Sequence, residues 1–134
     1  MNKIKEIKNK KMNVLIVEDE IIIALDIKST VENLGFSISG IFSSGEESIA
    51  KVPLMSPDII LMDIKLNGKI DGIYAAIKIY DKYNIPSIFL TAYNDEKTIK
   101  KMNKSDLFYS INKPFSEYEL SDTIKKTQEK FGLS

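Results

Sequence analysis

The run Val14-Leu15-Ile16-Val17 is apolar at every position and β-branched at three of the four. A strand with one face in water alternates apolar and polar residues, so an unbroken run calls for cover on both faces, as in a parallel sheet between helix layers. The run stops abruptly at Glu18, Asp19 and Glu20. Beyond it, Ile23, Ile27, Val31 and Leu34 fall at helical spacing before Gly35, a residue suited to a left-handed helix end. That is a strand followed by a helix, and the unit recurs. Residues 36–42 predict a second strand and residues 44–52 a second helix. Residues 58–62 predict a third strand that ends at Asp63, and after the loop 64–71 the residues Ile73, Ala76, Ile77 and Tyr80 mark the buried stripe of a third helix. Residues 86–90 and 107–111 predict the fourth and fifth strands, with a polar helix over 95–104 between them. Pro114 breaks the chain, and Leu120, Ile124 and Thr127 outline a last helix over 116–130.

Five strands alternating with five helices through short connections imply βαβ crossovers and a single doubly wound α/β domain. The length of 134 residues suits one domain, set here at 13–130 with a tail over 131–134. Residues 1–12 form a leader in which Lys3, Lys5, Lys8, Lys10 and Lys11 face one acid, Glu6. It reads either as a solvated, mobile segment or as a contact arm for an acidic partner or polyanion. No stretch approaches a membrane span and the N-terminus lacks the apolar run of a secretory signal, so the expected location is the cytoplasm.

Nineteen basic and nineteen acidic residues cancel, which removes bulk charge as a reason to bind nucleic acid or an anionic membrane. The absence of Cys and His excludes thiolate chemistry, Ser-His and Cys-His nucleophile pairs and the usual zinc ligands. Any metal would be a hard cation on oxygen, Mg²⁺ before others.

Doubly wound sheets bind ligands beyond the carboxyl ends of their strands. Those ends carry Glu18 and Asp19 after the first strand, Asp63 after the third, Thr91 after the fourth and Lys113 after the fifth. Singly, each has an ordinary explanation as a helix cap or a solvent-facing group. If the first strand neighbours the third, three carboxylates crowd together, a costly cluster unless it binds a cation. Mg²⁺ on such a cluster leaves room for phosphate oxygens. Phosphoryl transfer follows, with Asp63 as nucleophile, Lys113 as the opposing cation and Thr91 as a hydroxyl donor. The chain has no nucleotide-cradling G-x-x-x-x-G-K-[ST] loop, so the donor would be another molecule.

The segments Val17-Glu18-Asp19-Glu20, Pro57-Asp58-Ile59-Ile60-Leu61-Met62-Asp63, Asp71-Gly72, Leu90-Thr91-Ala92 and Lys113-Pro114-Phe115 resemble the receiver domain of two-component response regulators over residues 12–130. The resemblance implies a flavodoxin-like (βα)5 fold with a five-stranded parallel sheet in the order 2-1-3-4-5. It implies that Asp63 accepts a phosphoryl group from a sensor histidine kinase or phosphotransfer protein. Glu18, Asp19, Asp63 and the backbone carbonyl of Lys65 would hold Mg²⁺, while Thr91, Ala92 and Lys113 would bind the phosphoryl group. The implied output is a rearranged face of fourth helix, fifth strand and last helix that binds a downstream protein, with no membrane or direct nucleic-acid contact. Its only catalysis would be self-phosphotransfer and autodephosphorylation, tuned by positions resembling Lys65 and Tyr93.

Three positions depart from the pattern. Ser110 stands where the family usually carries an aromatic switch residue, with Tyr109 one place earlier and expected on the other side of the strand. The loop after Asp63 carries Asn67 and Gly68 and brings Asp71-Gly72 one residue late, and Glu18 replaces the commoner Asp. A receiver-like docking module that does not switch is the alternative function. A flavin-type phosphate loop is excluded by the acids after the first strand, and a haloacid-dehalogenase-type phosphatase by Lys65 in place of a second Asp. No output domain fits after Lys130, so the expectation is a stand-alone regulator or a receiver cut from a longer chain; oligomeric state is not readable.

Overall fold

The computed structural model describes residues 11–92 and 106–133. The strands are β1 (Asn13–Val17), β2 (Ser37–Phe42), β3 (Ile59–Asp63), β4 (Ser87–Ala92) and β5 (Ser110–Lys113). They form one five-stranded sheet in the order β2-β1-β3-β4-β5, parallel at every pairing. The described helices are α1 (Ile21–Asn33), α2 (Gly45–Met55), α3 (Gly72–Tyr83) and α4 (Glu117–Phe131). The helix expected over 95–104, with Lys97, Lys100, Lys101 and Lys104, lies outside the described residues, as do Tyr93 and most of the leader.

The alternation of side chains along each strand divides the core into two layers. Val14, Ile16, Ile59, Leu61, Ile88 and Leu90 point to the side covered by α1 and α4, where they meet Ala24, Val31, Leu120 and Ile124. Leu15, Val17, Ile60, Met62 and Phe89 point to the side of α2 and α3 and meet Val52, Ala75, Ala76 and Ile79. Both faces are dry, which accounts for the unbroken apolar runs. Met12, Phe131 and Leu133, at the margins of the span read as the domain, also pack against these layers.

Local chemistry sets the helix ends. The Ser44 hydroxyl accepts the Glu47 N–H, the Asp71 carboxylate accepts the Tyr74 N–H, and Ser116 and Glu119 cap each other reciprocally. Gly35 follows α1 at φ +93°, the left-handed position its sequence suggested.

Four local expectations are corrected. The stripe on α3 runs through Ile73, Ala75, Ala76 and Ile79, while Ile77 is 38% exposed and Tyr80 only partly buried. The helix presents its small residues to the sheet, which shifts the buried face away from Ile77. Helix α2 continues past Val52 through Pro53 to Met55, ending at left-handed Ser56. Strand β4 runs two residues beyond Leu90, so Thr91 lies within it. Strand β5 begins at Ser110, not Leu107: the chain turns over residues 106–108 before the ladder starts, and Phe108 packs in the core against Phe89, Tyr80 and Phe131.

Candidate functional site: an acidic cleft at the strand ends

Parallel pairing of β1 with β3 sets Val17 beside Met62, so the residues that follow, Glu18 and Asp63, emerge side by side. Asp19 comes one residue later. One carboxylate oxygen from each of Glu18, Asp19 and Asp63 lies within 4.8 Å of the others. The register Ala92↔Lys113 brings the end of β5 to the same rim, and Lys113 precedes a cis peptide to Pro114. Together these residues open a cleft of about 360 Å³ whose walls include Lys65, Leu66, Asn67, Leu90 and Ala92.

Charge in the cleft is uneven. The Lys113 ammonium donates to Glu18 Oε1 at 2.9 Å and lies 3.4 Å from Asp63 Oδ1. Lys113 therefore sits between two acids, nearer the glutamate, where an ammonium best offsets the repulsion of a close carboxylate pair. Burial, reinforced by the Glu18 charge, pushes the Asp63 carboxyl up from 3.8 to about 7 against the pull of Lys113. Glu18 is buried too, yet the Lys113 ammonium and the Glu20 N–H hold its carboxyl below the usual range. Glu18 thus holds its charge through partners, while Asp63 is poorly compensated. A divalent cation fits this set, since hard oxygen donors converge and the least compensated carboxylate faces them.

The loop between β3 and α3 closes one wall. The Asn67 N–H donates to Asp19 Oδ2 at 3.1 Å, and the Lys69 N–H donates to Glu46 Oε2 at 2.9 Å from the first turn of α2. Gly68 sits at φ +114° against that Glu46 carboxylate, a backbone conformation open to glycine. The far end of the loop is pinned by the Gly72 N–H on the Ile64 carbonyl at 2.9 Å. A Cβ on Gly72 would fall on the Asp63 carbonyl oxygen, so the close approach of α3 to the strand end requires glycine.

Glu18, Asp19, Asp63, Lys65, Ala92 and Lys113 meet at the cleft. Thr91 is at the adjoining strand end and buried, but its hydroxyl donates to Asn112 Oδ1 at 2.6 Å on β5. Ser110 is exposed, and the Tyr109 ring lies under the Lys130 ammonium of α4, 5.3 Å from its centre. Sequence reasoning missed Glu46 and Asn112. The only signal for Asn112 is a polar residue between Ile111 and Lys113, and Glu46 carries none beyond its place in the first turn of a helix.

Residues 14–125 match the response regulator receiver domain family. The transcriptional regulatory protein PdtaR of Mycobacterium tuberculosis is 31% identical over 118 residues, 88% of this chain and 57% of that protein. The phyllosphere-induced regulator PhyR of Methylorubrum extorquens is 31% identical over 115 residues, 84% of this chain and 42% of its own length. The chain thus spans about half the length of these curated relatives. Among solved structures, the signal receiver domain of a modulated diguanylate cyclase from Desulfovibrio desulfuricans G20 is 33% identical with a TM-score of 0.85, covering 92% of this chain and 98% of its own. The receiver domain of PhyR from Erythrobacter litoralis is 30% identical with a TM-score of 0.75, covering 89% and 91%.

Proposed function

This chain belongs to the response regulator receiver domain family, and from that premise we propose that it is a signalling switch whose Asp63 accepts a phosphoryl group in a Mg²⁺-dependent reaction. The observation that carries the proposal is the convergence of the Glu18, Asp19 and Asp63 carboxylates within 4.8 Å, with one ammonium, Lys113, against two of them. The donor is a histidine kinase or phosphotransfer protein bearing a phosphohistidine. An Asp63 oxygen forms a bond to phosphorus as the phosphorus–nitrogen bond breaks, and the leaving imidazole keeps the electron pair and takes up a proton.

Glu18, Asp19, Asp63 and the Lys65 carbonyl would hold the cation, which supplies positive charge beside Asp63 and the phosphoryl oxygens. Lys113 offers the second positive charge, by turning from Glu18 to a phosphoryl oxygen. The Ala92 segment borders the cleft where a backbone N–H can donate to the same group. The Thr91 hydroxyl, near the end of the adjoining strand, would be a third donor once it leaves Asn112. Drawing β4 and β5 toward the pocket alters the face made by β5 and α4, which binds a downstream protein. Among the described residues no helix is long and apolar enough to cross a membrane.

A non-switching docking module is the second reading, favoured by exposed Ser110 at the position of the family's aromatic switch residue. Incubation with acetyl phosphate and Mg²⁺, followed by intact mass measurement, separates the two. The switch predicts one phosphoryl adduct that disappears without Mg²⁺ and in Asp63→Asn. An unmodified protein under conditions that modify a control receiver supports the docking module.

A further inference from the structure

The Thr91 hydroxyl is committed to β5. Thr91 and Asn112 are direct partners in the β4–β5 register, and the hydroxyl lies 2.6 Å from Asn112 Oδ1 and 3.4 Å from the Ile111 carbonyl oxygen. Thr91 is 4% exposed, whereas Asn112 is exposed at the strand edge. The neighbours of Thr91 along the strand, Leu90 and Ala92, both line the cleft. The hydroxyl thus stands beside the pocket but is bonded away from it.

We propose that Asn112 is a positioning residue for Thr91, holding its hydroxyl on β5 in the unmodified protein and releasing it when Asp63 becomes phosphorylated. A hydroxyl has one proton to donate. Donation to a phosphoryl oxygen on Asp63 therefore breaks the bond to Asn112, and the strength of that bond sets part of the switching equilibrium. The inference rests on the reading of Asp63 as phosphoacceptor and Thr91 as phosphoryl donor group. It also bears on Ser110, because coupling between β4 and β5 here runs through the pair Thr91–Asn112 and needs no aromatic ring at position 110. A neutral side-chain hydrogen bond is worth about a factor of five in an equilibrium constant. Removing the nearer acceptor should favour the pocket-facing hydroxyl by about that factor, since the Ile111 carbonyl oxygen, at 3.4 Å, is the weaker of the two.

The test is the apparent affinity for beryllofluoride, a phosphoryl mimic, measured by amide shifts at saturating Mg²⁺ in the whole chain. Four proteins form a double-mutant cycle: parent, Asn112→Leu, Thr91→Val and the double variant. The expected result is about fivefold tighter binding for Asn112→Leu than for the parent. In the Thr91→Val background the same substitution should change nothing, since no hydroxyl remains to be released. An equal effect in both backgrounds, or unchanged or weaker binding in the single variant, overturns the assignment of Asn112. Absence of beryllofluoride binding by the parent overturns the phosphoacceptor reading and this inference with it.

Discussion

As the proposed phosphoacceptor, Asp63 must stay a carboxylate to attack phosphorus, yet its surroundings favour the acid. The side chain is buried beside Glu18, and its carboxyl rises from 3.8 to about 7. The native state therefore keeps a proton that the unfolded chain has lost, so stability falls as pH rises from about 4 to 7 and levels off above. A bound divalent cation should erase most of that slope. Replacing Asp63 by Asn removes the buried charge with little change of shape and should stabilise the cation-free protein at pH 8 by about 1–3 kcal/mol in urea denaturation. An Asp63→Asn variant less stable than the parent at that pH would show that Lys113 already compensates the charge. Gly72 illustrates a different constraint. A Cβ there would overlap the Asp63 carbonyl oxygen, so Gly72→Ala must move either α3 or the strand end. We expect Gly72→Ala to lose about 2 kcal/mol or more by thermal denaturation, and amide shifts should move at residues 63 and 64.

At the scale of elements, the fold uses its largest side chains to join neighbouring segments. Phe108 lies outside β5 and touches Tyr80 of α3, Phe89 of β4 and Phe131 of α4, at ring separations of 5.4, 5.8 and 5.8 Å. Phe108→Ala should cost about 3–5 kcal/mol by chemical denaturation, because the cluster cannot collapse around so large a void. A loss under about 1 kcal/mol would mean that the cluster repacks. The β3–α3 loop is fastened by Glu46, whose carboxylate takes the Lys69 N–H and is held below the usual carboxylate range chiefly by that bond. Glu46→Ala should raise amide hydrogen exchange at Lys69 by several-fold while the core strands keep their protection; unchanged exchange there would show that the loop holds its shape by other means.

For the whole molecule, the topology was legible because doubly covered strands announce themselves as apolar runs, and the polar residues that end those runs became the walls of the cleft. Glu18, Asp19, Asp63 and Lys113 could be found that way, since each ends or closely follows a strand. Asn112 and Glu46 could not. Their contacts depend on the β4–β5 register and on how closely α2 approaches the β3–α3 loop, and neither distance is written in local pattern. The late start of β5 was hidden as well, since Leu107 and Phe108 are apolar enough to read as strand although the chain turns there before the ladder begins at Ser110. On the proposed reading, cation binding would tie the site to global stability. At a Mg²⁺ concentration of about a hundred times its dissociation constant the protein should gain about 2.7 kcal/mol, a gain that Asp19→Asn should largely remove. The most direct test of the central claim is to locate the phosphoryl group itself. After reaction with acetyl phosphate and Mg²⁺, borohydride reduction converts an aspartyl phosphate to homoserine, and peptide mass spectrometry reads its position. Homoserine at residue 63 alone is the predicted result; reduction at Asp19 or Asp71, with Asp63 intact, would contradict the account.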